Sequence, residues 1–319
     1  MKIAVIGLGK TGQSHLEAWS EIEAVKVTGV VGEDSDSLQD SVRKKGFSFY
    51  RDLENLLLQA KVDAVDICVP ASLQAELVFQ AAKAGKHVIC SSSPDVDVEN
   101  IKKMDKMCNQ HGVQLLTGHL LRFTPAYADA HEQVKKGVIG KPGVIRLSKS
   151  MPFPEEENES SFLMLGADEF DWLRWTFGEV KRVMAKTVKR SGNEGDSIEY
   201  ALITLRMADG TICHMELSRP AIPFETAFEL SGDGGMITYN SRESSPLKLQ
   251  HSKDESLFSP LGTSPCKRQL EHFVRCVSDR ERPLPSINDT LKAKEIAYAV
   301  ARSADEGQPV SLAEGSGIE

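Results

Sequence analysis

Ile3-Ala4-Val5-Ile6-Gly7-Leu8-Gly9-Lys10-Thr11-Gly12 is the stretch that decides the fold of this chain. It starts as a short apolar strand, and three glycines follow at the spacing GxGxxG. In this pattern the first glycine makes a tight turn, the second lets a pyrophosphate approach the backbone, and the third lets a helix pack on the strand. The helix N-terminus then presents N–H groups to the anion. We therefore predict a dinucleotide-binding turn with six cofactor contacts: Gly7, Leu8, Gly9, Lys10, Thr11 and Gly12.

Apolar runs and amphipathic segments alternate from this turn to about residue 120. Parallel strands need a crossover, usually a helix, so this alternation predicts a parallel sheet. Asp52 before one helix and Gly85 after another are the expected helix ends. We predict an α/β fold that begins with a Rossmann domain over residues 1–120. Its strand candidates are Ile3–Ile6, Val25–Val31, Val62–Val69, His87–Cys90 and Val113–Leu116.

The pattern changes after Pro125. From Val180 to about Leu249 β runs follow one another without helices, and Asp209-Gly210 is a hairpin signal. We predict a C-terminal α/β domain over residues 121–312 with a large, mostly antiparallel open sheet. The domain ends in two helices at about 265–278 and 289–304. An alternative is that these helices pack back on the first domain. Residues 313–319 are expected to be a flexible tail.

Charge and composition exclude several classes of protein. The chain has 46 acidic and 38 basic residues, so no positive field is available for a nucleic acid partner. No apolar run approaches the roughly 18 residues of a membrane helix. Because the first strand leads into the glycine turn and not toward a cleavage site, we expect a cytoplasmic protein. The six cysteines form no CxxC pair, which favours reduced thiols and no metal site.

Several further segments are similar to one known family. They are Gly7–His15, Val62–Pro70, Ala84–Cys90, Leu121–Tyr127, Asp171–Gly178, Glu271–Phe273, Arg282–Leu284 and Gln308–Val310. Together they resemble the Gfo/Idh/MocA family (glucose-fructose oxidoreductase, inositol dehydrogenase and relatives) over almost the whole chain. The resemblance implies NAD(P) and hydride transfer at a hydroxyl group of a sugar or cyclitol.

The cofactor assignment extends beyond the glycine turn. An acidic residue at the end of the second strand is expected to bind the adenosine ribose, and Glu33 is the candidate. No Arg or Ser stands there to hold a 2′-phosphate, which favours NAD and leaves NADP possible. The alternative is that Glu33 is only a solvated loop charge. Val69, Pro70 and Ser91, which follow the next two strands, complete the predicted cofactor contacts.

The catalytic positions depart from the family pattern. Where the resemblance implies Glu-Lys-Pro after the strand His87–Cys90, this chain has Ser91-Ser92-Ser93-Pro94, so Ser92 occupies the lysine position. Where it implies an Asp and a His four residues apart on one helix face, this chain has Met164 and Asp168. Oxidation of an alcohol needs a group that takes the hydroxyl proton, which serine alone does not provide. Asp168 is the candidate for that role.

Three interpretations stay open at this point. The protein is an oxidoreductase in which Asp168 or another group handles the proton. Alternatively, it binds a nucleotide or sugar without turnover, as a pseudoenzyme or regulatory partner. In the third interpretation it catalyses a different reaction, such as elimination, with a retained cofactor.

Four polar residues are predicted to bind the polyol or sugar-like substrate. His119 and Arg122 follow the last Rossmann strand, where open α/β sheets bind ligands, and we expect them to line a cleft between the domains. Lys149 could supply the positive charge lost with the family lysine, or it is a solvent-facing strand residue. Asp171 matches a second helix acid of the family and is expected to orient a substrate hydroxyl.

The outward face of the second sheet is predicted to be an interface. His214 and Glu216 share one strand face by the period-two rule. We expect this polar face to be solvated or part of a wet subunit interface, and the resemblance implies a homodimer or homotetramer. His15 on the first helix is expected to have a packing role.

Overall fold

The computed structural model of the chain describes residues 1–32, 42–44, 46–90, 96–152, 162–190, 198–219, 224–243, 247–251, 255–258 and 264–312. These residues form two compact units. The first comprises residues 1–123 and 264–291, and the second comprises the described residues from 124 to 258 and 292–312. The predicted tail at 313–319 lies outside the described residues.

Helices and strands alternate through the first unit and then give way to consecutive strands. The helices are α1 (Lys10–Ser20), α2 (Leu53–Gln59), α3 (Ala71–Lys83), α4 (Val98–Gln110), α5 (Pro125–Lys135), α6 (Ala167–Phe177), α7 (Pro265–Ser278) and α8 (Ile287–Glu306). The strands are β1 (Lys2–Ile6), β2 (Lys26–Val31), β3 (Phe49–Tyr50), β4 (Ala64–Ile67), β5 (His87–Cys90), β6 (Leu115–Thr117), β7 (Pro142–Ser150), β8 (Val180–Arg190), β9 (Ile198–Met207), β10 (Ile212–Arg219), β11 (Glu225–Gly232), β12 (Gly235–Asn240), β13 (Leu247–His251), β14 (Glu255–Phe258) and β15 (Val310–Ser311).

The first unit contains the predicted parallel sheet. Its six strands lie in the order β3-β2-β1-β4-β5-β6, and every neighbouring pair is parallel. The order reverses between β1 and β4. Open α/β sheets bind their ligands at the carboxyl ends of the strands at such a reversal. The predicted Rossmann fold is therefore confirmed, and the topology places the candidate site after β1 and β4.

Helices cover both faces of this sheet. Along β1, Ala4 and Ile6 belong to the core that includes residues of α3 and α4. Ile3 and Val5 belong to the core on the other face, with Trp19 of α1 and residues of α7. A strand buried on both faces is expected to be continuously apolar, which is the pattern of β1.

The second unit contains a nine-stranded sheet in the order β14-β13-β12-β11-β7-β10-β9-β8-β15. Its neighbours are antiparallel except β7 and β10, which are parallel. The prediction of a large, mostly antiparallel open sheet is confirmed, including the hairpin at Gly210, whose φ is +95°. The parallel pair arises because the chain leaves β7, passes through α6, β8 and β9, and only then forms β10.

Aromatic residues fill the core between this sheet and its helices. Trp172 of α6 is fully buried, stacks on Phe228 at 5.3 Å between ring centroids, and meets Tyr127 edge-on at 5.1 Å. The Trp172 indole N–H donates to the backbone carbonyl of Tyr127 at 2.9 Å. The indole is therefore fully buried and its N–H group is hydrogen-bonded, as is usual for buried tryptophans.

Across the part of the chain that the structure describes, every helix is too short or too polar to span a bilayer.

Candidate functional site

The first and third glycines of the turn are required by packing. Gly7 has φ +94°, and a Cβ there would lie 2.3 Å from the carbonyl oxygen of Cys68. A Cβ at Gly12 would lie 1.9 Å from the carbonyl oxygen of Gly7. Both contacts are far inside van der Waals distance, so any side chain would push β1, α1 and the end of β4 apart.

The second glycine has a different reason to be small. A Cβ at Gly9 would meet no atom within 4 Å among the residues that the structure describes, and its φ of −63° suits any residue. Gly9 is also the N-cap of α1, and no side chain caps it. By contrast, Asp52 and Asp97 cap α2 and α4 with hydrogen bonds to backbone N–H groups. An uncapped helix start beside open space fits a pyrophosphate, so the residues present fit the dinucleotide.

The end of β4 lies against this turn. The backbone N–H of Cys68 donates to the carbonyl of Ile6 at 2.7 Å, and a Cβ on Gly7 would lie 3.0 Å from the Val69 side chain. Pro70 is the N-cap of α3 and offers no side-chain hydrogen bond. The structure thus brings the predicted cofactor residues of the turn together with Val69 and Pro70. Glu33, Ser91 and Ser92 lie outside the described residues.

A buried ion pair holds α1 on β4. His15 Nδ1 lies 2.9 Å from Asp66 Oδ2, and the Trp19 indole N–H donates to the same oxygen at 2.6 Å. Burial alone lowers the pKa of His15, but the charge and hydrogen bond of Asp66 raise it well above its ordinary value. The Asp66 carboxylate thus favours the protonated form of His15. An electrostatic contact is therefore added to the predicted packing role.

Polar residues also gather after β6. His119 and Arg122 are buried, and Arg122 Nη2 lies 3.5 Å from Asp289 Oδ2. Thr117 and Thr290 share a hydroxyl hydrogen bond of 3.2 Å across 173 positions of sequence. Sequence reasoning missed Asp289 and Thr290, since no local signal connects such distant segments. The substrate role of His119 and Arg122 stays a prediction.

In the second unit, Lys149 lies in a buried polar cluster. Its ammonium donates to Glu169 Oε2 at 3.0 Å and to the backbone carbonyl of Leu165 at 2.9 Å. Lys149 is 9% exposed and Glu169 is 2% exposed, so the alternative of a solvent-facing lysine is wrong. No sequence signal points to Glu169, because the pair forms only when α6 packs on the end of β7.

The charges of this cluster are strongly coupled. Burial lowers the pKa of Lys149, yet the charges of Glu169 and Asp168 outweigh it and raise that pKa. Burial raises the pKa of Glu169 despite the nearby ammonium. Glu169 Oε1 is buried and has no hydrogen-bond partner among the described residues. The Lys149 ammonium is thus paired with the Glu169 carboxylate and influenced by the charge of Asp168 in a site of low polarity.

Three candidate positions of the helix region differ in exposure. Asp168, in the first turn of α6, is half-buried. Met164, in the preceding 3₁₀ turn, is buried, and Asp171 is fully buried. Asp168 is thus the most accessible of these three and interacts electrostatically with Lys149.

Comparisons with known proteins match most of the chain. Residues 1–119 match a family model described as "Oxidoreductase family, NAD-binding Rossmann fold", and residues 127–238 match the "GFO/IDH/MocA C-terminal domain". The chain is 29% identical to the myo-inositol 2-dehydrogenase of Thermotoga maritima, over 98% of this chain and 99% of that protein. It is 26% identical to the D-apiose dehydrogenase of Paraburkholderia graminis, over 98% and 89% respectively.

A solved structure shows the same fold. An oxidoreductase from Agrobacterium radiobacter, in complex with NAD⁺, L-tartaric acid and magnesium, superposes with a TM-score of 0.83. The match covers 98% of each chain at 20% sequence identity. At that identity the likeness establishes the fold.

Proposed function

Since the chain belongs to the GFO/IDH/MocA family of oxidoreductases and has its NAD-binding Rossmann domain, we propose that it oxidises a CH–OH group of a sugar or cyclitol with NAD⁺. The observation that carries the proposal is the turn at Gly7–Gly12. Among its three glycines, only Gly9 has room for a Cβ among the described residues, so packing within the protein does not explain why it is a glycine. The names of the relatives support the substrate class, because they are dehydrogenases of myo-inositol and D-apiose.

The residues of the turn and of β4 would hold the cofactor. Gly9 leaves room for the pyrophosphate at the start of α1, and Val69 and Pro70 border the same turn. When bound, NAD⁺ accepts the hydride that leaves the carbinol carbon. The hydride cannot leave unless the hydroxyl proton is also removed, and that second task falls to the protein's own side chains.

We propose that Asp168 takes that proton in place of the family histidine. The Lys149 ammonium lies close enough to interact with the Asp168 charge, and Glu169 and the Leu165 carbonyl hold the ammonium in place. Lys149 thereby supplies, from a different strand, the positive charge that the family lysine would give at Ser92. Glu169 acts through Lys149 and is a positioning residue.

Binding and turnover must be measured separately. The full chain is titrated with NADH, and binding is monitored by calorimetry and by cofactor fluorescence. Saturable binding is expected. NAD⁺ reduction with a panel of inositols, aldoses and sugar acids is then expected to identify at least one substrate. Absence of heat and of a fluorescence change at millimolar NADH would refute the proposal. Binding without turnover of any polyol would instead support a nucleotide-binding protein that has lost the chemistry.

The exposed face of the nine-stranded sheet is proposed to join two copies of the chain. Leu202 and Ile212 are more than two-fifths exposed there, although both lie on sheet strands. The face also carries a groove of about 550 Å³ lined by Arg146, His214 and Glu216 among others. Apolar residues among paired charges are typical of a subunit interface with a polar rim.

A double charge substitution tests this interface. Leu202→Glu with Ile212→Glu is expected to convert a dimer or tetramer into monomers, because four carboxylates would meet across each interface. Light scattering during size-exclusion chromatography measures the change. Leu58→Glu, which alters an exposed leucine of α2, is the matched control and should leave the mass unchanged. A double variant that keeps its assembly would show that another surface joins the subunits.

A further inference from the structure

Three side chains with metal-binding atoms meet beneath the glycine turn. They are His15 of α1, Asp66 of β4 and Cys68 directly after β4. One ligand atom of each lies within 4.8 Å of the others, and all three side chains are buried. Imidazole nitrogen, carboxylate oxygen and thiolate sulfur are the three ligand types of protein zinc sites. The sequence does not reveal the group, because His15 and Asp66 are 51 positions apart.

The surroundings of the cluster resemble the outer shell of a metal site. The Cys68 thiol lies 3.3 Å from Asp66 Oδ1, whereas Asp66 Oδ2 accepts the hydrogen bond of Trp19. One carboxylate oxygen is thus oriented by the indole and the other faces the thiol, as ligating carboxylates commonly are. Cys266 of α7 also interacts with the His15 side chain, outside this group of three.

We propose that His15, Asp66 and Cys68 form a binding site for a divalent ion of the zinc class. The exchange balances in charge, because the ligand atoms bind the ion in their deprotonated forms. One carboxylate and one thiolate neutralise Zn²⁺, and the imidazole binds as a neutral ligand. The buried cluster with its ion then carries no net charge, which avoids the cost of an uncompensated buried charge.

The chemistry of the ligands selects the ion. Sulfur and imidazole favour Zn²⁺ and Co²⁺ over Mg²⁺ and Ca²⁺, which take oxygen ligands.

The proposed metal site lies next to the cofactor turn. The Cys68 carbonyl is the atom that a side chain at Gly7 would strike, and the Cys68 Cβ lies 3.4 Å from a Cβ placed on Gly12. An ion here would cross-link α1, which follows the turn, and β4, whose end lies against the turn.

Metal binding can be measured without turnover. The full chain is treated with a chelator, dialysed, and titrated with Co²⁺ while absorbance is recorded. We expect one ion per chain, with the intense thiolate-to-cobalt charge-transfer band and the visible bands of a four-coordinate site. Equilibrium dialysis with Zn²⁺ and metal analysis should give the same stoichiometry, and Zn²⁺ should raise the melting temperature.

Paired alanine variants locate the ion. Cys68→Ala is expected to abolish the charge-transfer band, whereas Cys213→Ala, which truncates a buried thiol of the other unit, should keep it. His15→Gln, which keeps a side chain able to hydrogen-bond to Asp66, should weaken Zn²⁺ binding by at least tenfold. Circular dichroism checks that each variant is folded. Failure of the native chain to retain zinc at micromolar free ion, or an unchanged band in Cys68→Ala, would overturn the proposal.

Discussion

Gly9→Val is expected to weaken NADH binding by at least about tenfold, or about 1.4 kcal/mol, while the melting temperature falls less than in Gly12→Ala. The backbone of Gly9 has φ −63°, and a Cβ there meets no atom of the described residues within 4 Å. The added Cβ therefore displaces no described neighbour, but the side chain occupies the space beside the uncapped start of α1 where the pyrophosphate is proposed to lie. Calorimetric titration with NADH and thermal unfolding measure the two quantities.

Gly12→Ala is the matched contrast. Its Cβ would lie 1.9 Å from the carbonyl of Gly7, so this smaller substitution is expected to lower the melting temperature as well as the affinity. The two variants thus separate a glycine needed by the ligand from a glycine needed by the fold. Undiminished NADH affinity in Gly9→Val would show that the cofactor does not use this turn.

Asp168→Asn is expected to lower kcat by roughly 10²–10⁴-fold, the usual contribution of a positioned proton acceptor. The amide has nearly the same shape as the carboxylate but cannot take the hydroxyl proton. Because the proposed role of Asp168 is to take the hydroxyl proton and not to hold the cofactor, the affinity for NADH should not change. Initial rates of NAD⁺ reduction with the substrate found in the panel, together with NADH titration, give both values.

Two further variants test the assignment of the proton acceptor. Asp168→Glu should recover part of the rate lost in Asp168→Asn, because a carboxylate returns. Asp305→Asn removes an exposed carboxylate of α8 in the same unit and should leave kcat unchanged. If Asp168→Asn keeps the native rate, the proton leaves through another group, and Ser92→Lys becomes the variant to examine.

Local sequence signals were sufficient for the first unit. The glycine spacing depends on contacts between neighbours in sequence and between adjacent strands, so GxGxxG after an apolar strand predicts both the turn and the parallel sheet. Gly7, Gly9 and Gly12 lie as the motif requires. The antiparallel second sheet followed from consecutive β runs, but the parallel pairing of β7 and β10 did not, because no turn residue joins them.

The polar clusters were much less predictable. Lys149 was a candidate from its strand alone, and two alternatives, buried or solvated, were open. Only the packing of α6 decided between them by placing Glu169 against the ammonium. In the same way His15 looked like an ordinary packing residue until β4 brought Asp66 and Cys68 to it.

By itself, then, the sequence determined the cofactor turn and the two kinds of sheet, since each of these depends on residues close together along the chain. The tertiary structure alone decided which charges are buried and paired. Ion pairs such as Lys149 with Glu169 and His15 with Asp66 join separate elements. The pKa values of their side chains depend on burial and on partners that are distant in sequence, so the spacing of residues does not predict them.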